Sequence, residues 1–152
     1  LTLGLQQRGV GSLEASRDVV LRWWRERLGE PLPVLDNGSG LSREERSSAQ
    51  GLARLLLWVH RSPFQAELVA SLPLSGQDGT LRRSRAQASA HLKTGSLRDV
   101  SGVAGYVHSP GGKTLVMVAL VNSPQVTGAS ARALFDVLVD WSAKQADRPI
   151  KP

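Results

Sequence analysis

Lys93-Thr94-Gly95-Ser96 is the stretch of this chain whose residue types can do chemistry in concert. A lysine at a strand end supplies a fixed positive charge, and the charge-assisted hydrogen bond it makes to a carboxylate is stronger than a neutral one. The threonine hydroxyl adds a hydrogen bond to the same anion. Glycine removes the Cβ that would hold an extended ligand away from the backbone. The Ser96 N–H can point at an oxyanion developing on a carbonyl under attack. These groups bind a carboxylate and stabilise charge, but they include no activated nucleophile.

The rest of the sequence does not add one in a known arrangement. A serine is activated by a base held beside it, and a lysine three residues further on is one way to hold it there. The residues three before the four lysines are Ala90, Pro110, Trp141 and Arg148, so there is no Ser-x-x-Lys. Ser-x-Asn is missing as well, because Asn37 and Asn122 each follow a leucine two residues earlier, and Gly-x-Ser-x-Gly does not occur. His60, His91 and His108 are far apart along the chain with no carboxylate at ligand spacing, and there is no cysteine. A metal centre and a disulfide are therefore not expected.

The charge balance is 19 Lys and Arg against 13 Asp and Glu, a net +6. Arginines crowd residues 17–27 and 82–85, but only Trp23 and Trp24 fall among them. Nucleic-acid modules interleave basic residues with exposed aromatics, so solvated helix faces are the expectation and a nucleic-acid partner is not. A length of 152 residues with 41% hydrophobic composition suits one globular unit. No apolar run nears the roughly 18 residues of a membrane span. Leu1 to Val10 lacks the pattern of a signal peptide. With no initiator methionine, the chain is expected to begin inside a longer product.

The elements that must position the tetrad are legible from spacing. Ser12 to Leu28 reads as an amphipathic helix, with Ser12 as N-cap, Val20, Trp24 and Leu28 on one face, and Gly29 ending it. Leu35 to Arg46 is a loop. Ser48 to His60 is a second helix with Leu52, Leu55, Leu56 and Val59 on one face. Ser62-Pro63-Phe64-Gln65 has the form of a capping box and predicts a short helix ending near Ser71. Pro73 to Gly79 is turn-rich, and a basic polar stretch runs on to Ala90. His91–Ser96, Val103–Val107 and Leu115–Val121 then read as three antiparallel strands, the last two joined by the turn Ser109-Pro110-Gly111-Gly112. Ser130 to Lys144 closes the chain as a helix with Leu134, Leu138 and Trp141 at helical spacing. One helix covers one face of a three-stranded sheet, so the arrangement reads as incomplete.

Three blocks in this order carry a resemblance: Asp36-Asn37-Gly38-Ser39-Gly40-Leu41-Ser42-Arg43, then Leu72-Pro73-Leu74-Ser75-Gly76-Gln77-Asp78-Gly79-Thr80-Leu81, then Lys93-Thr94-Gly95-Ser96-Leu97. Together they resemble the S13 family of D-alanyl-D-alanine carboxypeptidases and endopeptidases, the low-molecular-mass penicillin-binding proteins. Ser47-Ser48-Ala49 departs from the family pattern of a hydrophobic residue, Ser or Thr, then Pro. The resemblance implies an α+β, penicillin-binding-protein/β-lactamase-like fold in which N- and C-terminal segments share one sheet. Residues 1–152 would be the C-terminal part of that domain, and the serine motifs would lie on an N-terminal partner segment. It implies that Lys93 and Thr94 bind the free carboxylate of a terminal D-alanine, that Gly95 leaves room for the substrate, and that the Ser96 N–H is an oxyanion-hole donor. Implied partners are peptidoglycan stem peptides ending in D-Ala-D-Ala and β-lactams, in the periplasm or elsewhere in the cell envelope, with no cofactor. The loops Gly38-Ser39-Gly40 and Gly76-Gln77-Asp78-Gly79 are expected to be structural. Two further readings stand beside this one: a non-catalytic cell-wall binder, and a basic module for a polyanion.

Overall fold

The structure, a computed structural model, describes residues 1–148. The chain forms two compact units, Leu1–Leu55 and Leu56 onward.

The first unit is helical. Helix α1 (Thr2–Arg8) ends at Gly9, which takes a left-handed φ of 70°. Helix α2 (Leu13–Leu28) starts where the sequence places it: the Ser12 side chain accepts the Ala15 N–H, and Gly29 caps the other end at φ 76°. Trp24 and Leu28 are its buried residues. Helix α1 falls in a stretch that the sequence reading left without an element. It has no side-chain cap and a mostly exposed surface, so it lacks the signals by which α2 is recognised. The loop that follows α2 closes on itself through a Val34–Arg46 bridge.

Helix α3 (Ala49–His60) carries the chain into the second unit. Helix α4 (Gln65–Ser71) comes next, without the predicted capping box. Ser62 instead accepts the Phe64 N–H, and the Gln65 amide turns to His60 Nδ1 at 3.1 Å. Strands β1 (Ser89–Leu97), β2 (Val100–His108) and β3 (Thr114–Asn122) form an antiparallel meander in the order β1-β2-β3. Helix α5 (Gly128–Ala146) packs on one face of it. Its start is set by a capping box in which Thr127 and Ser130 each accept the other's backbone N–H.

The core lies between α5 and the sheet. Leu92, Val103 and Val107 are essentially inaccessible and meet Ala131, Phe135, Val139 and Ala143 of α5. Each large side chain removed from water there contributes about 1.5–3 kcal/mol. Of the row Leu134, Leu138 and Trp141 that spacing singles out on α5, only Leu138 packs against this core, half-buried. Leu134 and Trp141 are 44% and 57% exposed, and the i, i+4 row of Ala131, Phe135, Val139 and Ala143 is inward. Small residues at both ends of that row let the helix lie close on the strands, which the bulkier row would not allow. On the opposite sheet face Tyr106 is fully buried, and its hydroxyl donates to the Leu56 carbonyl at 2.7 Å.

Candidate functional site

Strand β1 is an edge strand, and its outer edge changes character halfway along. At its first half the segment Pro73–Ser75 runs alongside: the Leu92 N–H donates to the Pro73 carbonyl at 3.0 Å, and the Ser75 N–H donates to the Ala90 carbonyl at 2.9 Å. In an antiparallel ladder the N–H and C=O of a residue point the same way and alternate along the strand. With Ala90 and Leu92 facing outward, Thr94 and Ser96 also turn their N–H and C=O groups to the outer edge. Nothing pairs with that edge beyond Leu92 among the described residues.

The tetrad sits there. Pairing with β2 puts Thr94 and Ser96 on the α5 face of the sheet and Lys93 and Gly95 on the other. The Lys93 ammonium nevertheless wraps back to the edge, where it donates to the Thr94 carbonyl at 2.6 Å. Lys93, Gly95 and Ser96 are exposed and Thr94 is half-buried. Ammonium, hydroxyl and the Ser96 N–H thus line one open strand edge, although the two side chains leave the strand on opposite faces. A Cβ built on Gly95 would meet nothing within 4 Å. The fold itself does not require a glycine at that position.

The second sequence block forms the floor of this edge. Asp78 accepts the Leu74 N–H at 2.8 Å, Gly76 N–H donates to the Leu81 carbonyl at 3.0 Å, and Leu81 is buried in the core. A single 3₁₀ turn, Gly79–Leu81, brings Thr80 beside the strand, and the Thr80 and Thr94 hydroxyls are 2.7 Å apart. The basic stretch after it is not a free solvated segment. Asp136 accepts from Ser84 Oγ at 2.6 Å and from the Arg85 N–H at 2.9 Å, and Asp140 accepts from the Gln87 and Ala88 N–H groups. A cavity of about 180 Å³ opens between β1 and α5, with Thr80, Thr94, Ser96, Ser101, Arg132 and Phe135 in its wall. The sequence reading missed Thr80, Asp136 and Asp140. The one signal for them was the position of Thr80 in a family block.

The glycine-rich loop of the first unit is held by its own side chains. Asn37 Oδ1 accepts the Ser39 N–H, Ser39 Oγ accepts the Leu41 N–H, and Gly38 and Gly40 have left-handed φ of 70° and 73°. This is the chemistry of a tight turn.

Away from the site, the histidines that are distant in sequence come together. His91 Nδ1 lies 3.1 Å from His108 Nε2, and the His60 ring is 5.6 Å from the Tyr106 ring. Burial, reinforced by the charges that His91 and His60 would carry, holds the His108 imidazole below the usual histidine range. Burial pushes the Tyr106 phenol up. At the far hairpin, Asp147 accepts from Ser109 Oγ at 2.8 Å and from the Gly111 N–H at 2.9 Å, and these bonds, with Lys113 nearby, hold its carboxyl below the ordinary value.

Lys-Thr-Gly is one of the signature motifs of penicillin-binding proteins and class A β-lactamases. Residues 31–145 match the model of the D-Ala-D-Ala carboxypeptidase 3 (S13) family, and the chain belongs to that family. Among curated proteins, it is 36% identical over 122 residues to a D-alanyl-D-alanine carboxypeptidase of an Actinomadura species, covering 74% of this chain and 22% of that protein. It is 28% identical over 95 residues to the D-alanyl-D-alanine carboxypeptidase DacB of Haemophilus influenzae, covering 59% of this chain and 20% of that one. The chain thus spans about a fifth of the length of these relatives. Among solved structures, penicillin binding protein 4 of H. influenzae in complex with a β-lactam superposes with a TM-score of 0.70 at 18% identity, over 97% of this chain and 37% of that one. A predatory endopeptidase of Bdellovibrio bacteriovorus, acylated by penicillin G, gives 0.70 at 17% identity, over 95% and 42%. The fold is the one that the sequence resemblance implied.

Proposed function

We propose that this chain is the C-terminal part of the penicillin-binding domain of a serine D-Ala-D-Ala carboxypeptidase or endopeptidase that cuts peptidoglycan stem peptides in the cell envelope, outside the cytoplasm. The observation that carries the reading is the open edge of β1, where the Lys93 ammonium, the Thr94 hydroxyl and the outward Ser96 N–H are lined up on one family motif. A stem peptide lying along this edge as an added strand places its terminal carboxylate against Lys93 and Thr94. Gly95 leaves the space its backbone needs. The penultimate carbonyl then lies by the Ser96 N–H, which stabilises the oxyanion formed under attack. The nucleophile is a serine on a segment outside these 152 residues, since no Ser-x-x-Lys lies within them. Its oxygen forms an ester with that carbonyl carbon, the terminal D-alanine leaves with a proton on its amine, and water hydrolyses the ester. A β-lactam offers a carboxylate to the same ammonium and hydroxyl and is opened by the same attack.

A fluorescent penicillin tests this. The complete gene product is expected to form a covalent adduct on a serine outside this chain, and the chain alone is expected to form none. A stable acyl adduct on any serine of residues 1–152, or no adduct on the complete protein, would overturn the reading. Salt-dependent binding of an acidic polymer without any adduct would favour the polyanion module instead.

A further inference from the structure

Thr80 reaches a tetrad side chain from outside the strand, its hydroxyl 2.7 Å from that of Thr94. Resting on the reading above, we infer that Thr80 is a positioning residue: its hydroxyl orients the Thr94 hydroxyl toward the open edge of β1, where the substrate carboxylate is held. Two hydroxyls 2.7 Å apart share one proton between them. In the structure Thr94 donates to Thr80, and since a hydroxyl can take either role, a carboxylate arriving at the edge reverses the pair: Thr80 then donates, and the Thr94 proton turns outward to the carboxylate. A lone Thr94 hydroxyl would be a free rotor, and fixing it would cost entropy on every binding event.

Thr80 can act this way because the fold holds its backbone from both sides. Asp78 is tied to Leu74 N–H at 2.8 Å, the Leu81 side chain is buried, and Ser84 is tied to Asp136 at 2.6 Å. Thr80 itself is exposed, so its hydroxyl has no packing role. The anchored turn therefore delivers a single polar atom to the strand edge. Orientation of this kind belongs to binding and acylation of carboxylate-bearing ligands, and ligands without that group do not sense it.

The experiment uses the complete gene product, with acylation rates measured for a penicillin and for the same penicillin with its carboxyl esterified. Thr80→Val keeps the shape and removes the hydroxyl. It is expected to slow acylation by the free acid about three- to tenfold, the worth of one neutral hydrogen bond. Acylation by the ester and the melting temperature should stay as in the wild type. Thr80→Ser should restore the free-acid rate. Added to Thr94→Val, Thr80→Val should cost nothing more, because the residue it acts through is gone. Equal free-acid rates for wild type and Thr80→Val would overturn the inference while leaving the functional reading standing. A parallel loss for acid and ester with a lowered melting temperature would make the turn a scaffold only and would overturn it too. A wild-type protein that takes no penicillin removes the functional reading and this inference together.

Discussion

Ser89–Leu92 and Lys93–Leu97 are halves of one strand, paired to the same neighbour in one unbroken register. In the first half Ala90 and Leu92 are 0% and 2% exposed, and the outer edge is occupied by Pro73 and Ser75. In the second half the outward N–H and C=O groups have no strand beside them among the described residues, and Lys93, Thr94 and Ser96 carry polar side chains. The backbone is the same in both, so the difference lies in what covers it. Edge groups left open are a liability in a folded protein. They are kept here at the place where an extended ligand can satisfy them.

This contrast predicts that substitutions in the two halves act on different observables. Leu92→Ala removes a side chain from the closed core and should lower the unfolding free energy of the complete protein by about 2–5 kcal/mol. Denaturant titration reads it, and a loss below about 1 kcal/mol would mean that the first half is not core. One residue on, Lys93→Ala should leave the melting point unchanged and lower kcat/KM for peptides with a free terminal carboxylate about ten- to a hundredfold, since a charge-assisted hydrogen bond is worth roughly 1.5–3 kcal/mol. Near-wild-type turnover would return Lys93 to the role of a surface charge.

Gly95→Ala sharpens the comparison further. A Cβ there meets no protein atom, so stability should be unaffected. Penicillin acylation should fall, because the methyl group occupies the path of the ligand. Unchanged acylation would show that ligands do not pass that close.

A smaller effect belongs to the first half, where His108 pairs with Ser89 and meets His91. The folded protein holds His108 below the usual pKa of about 6.5, so its neutral form is the one favoured by folding. Above that value both states are neutral and nothing is lost. As pH falls below it the unfolded chain takes up the proton first and stability declines. The melting temperature should therefore drop between about pH 7 and 5, and His108→Asn should reduce that drop. A pH-independent melting point over this range would refute the assignment. The smallest effect is expected from Lys113→Ala. The lysine follows the Ser109–Gly112 turn, and its ammonium donates to the Ala146 carbonyl at 2.6 Å, at the end of α5. Charge at a helix C-terminus is worth about 0.3–1 kcal/mol, so a slight loss of stability with full activity is the outcome to look for.

Much of this was readable from residues near each other in the chain. The Ser12 cap and the Gly29 stop of α2, the Ser109–Gly112 turn and the three-strand meander are local matters, settled by hydrogen bonds and φ preferences within a few residues. The Lys93–Ser96 stretch could be singled out because its polar and small residue types are consecutive. What sequence could not decide involves partners 14 to 53 positions away, such as Thr80 with Thr94 and Gln87 with Asp140. Two rows of α5 had apolar residues at helical spacing, and only the shape of the strands beneath chose Ala131, Phe135, Val139 and Ala143 over Leu134 and Trp141. Periodicity states that a face is apolar, whereas burial depends on what the chain folds against it. For the same reason the open half of β1 exists only in three dimensions: an edge is free or covered according to where Pro73–Ser75 comes to rest, and no spacing along the strand records that.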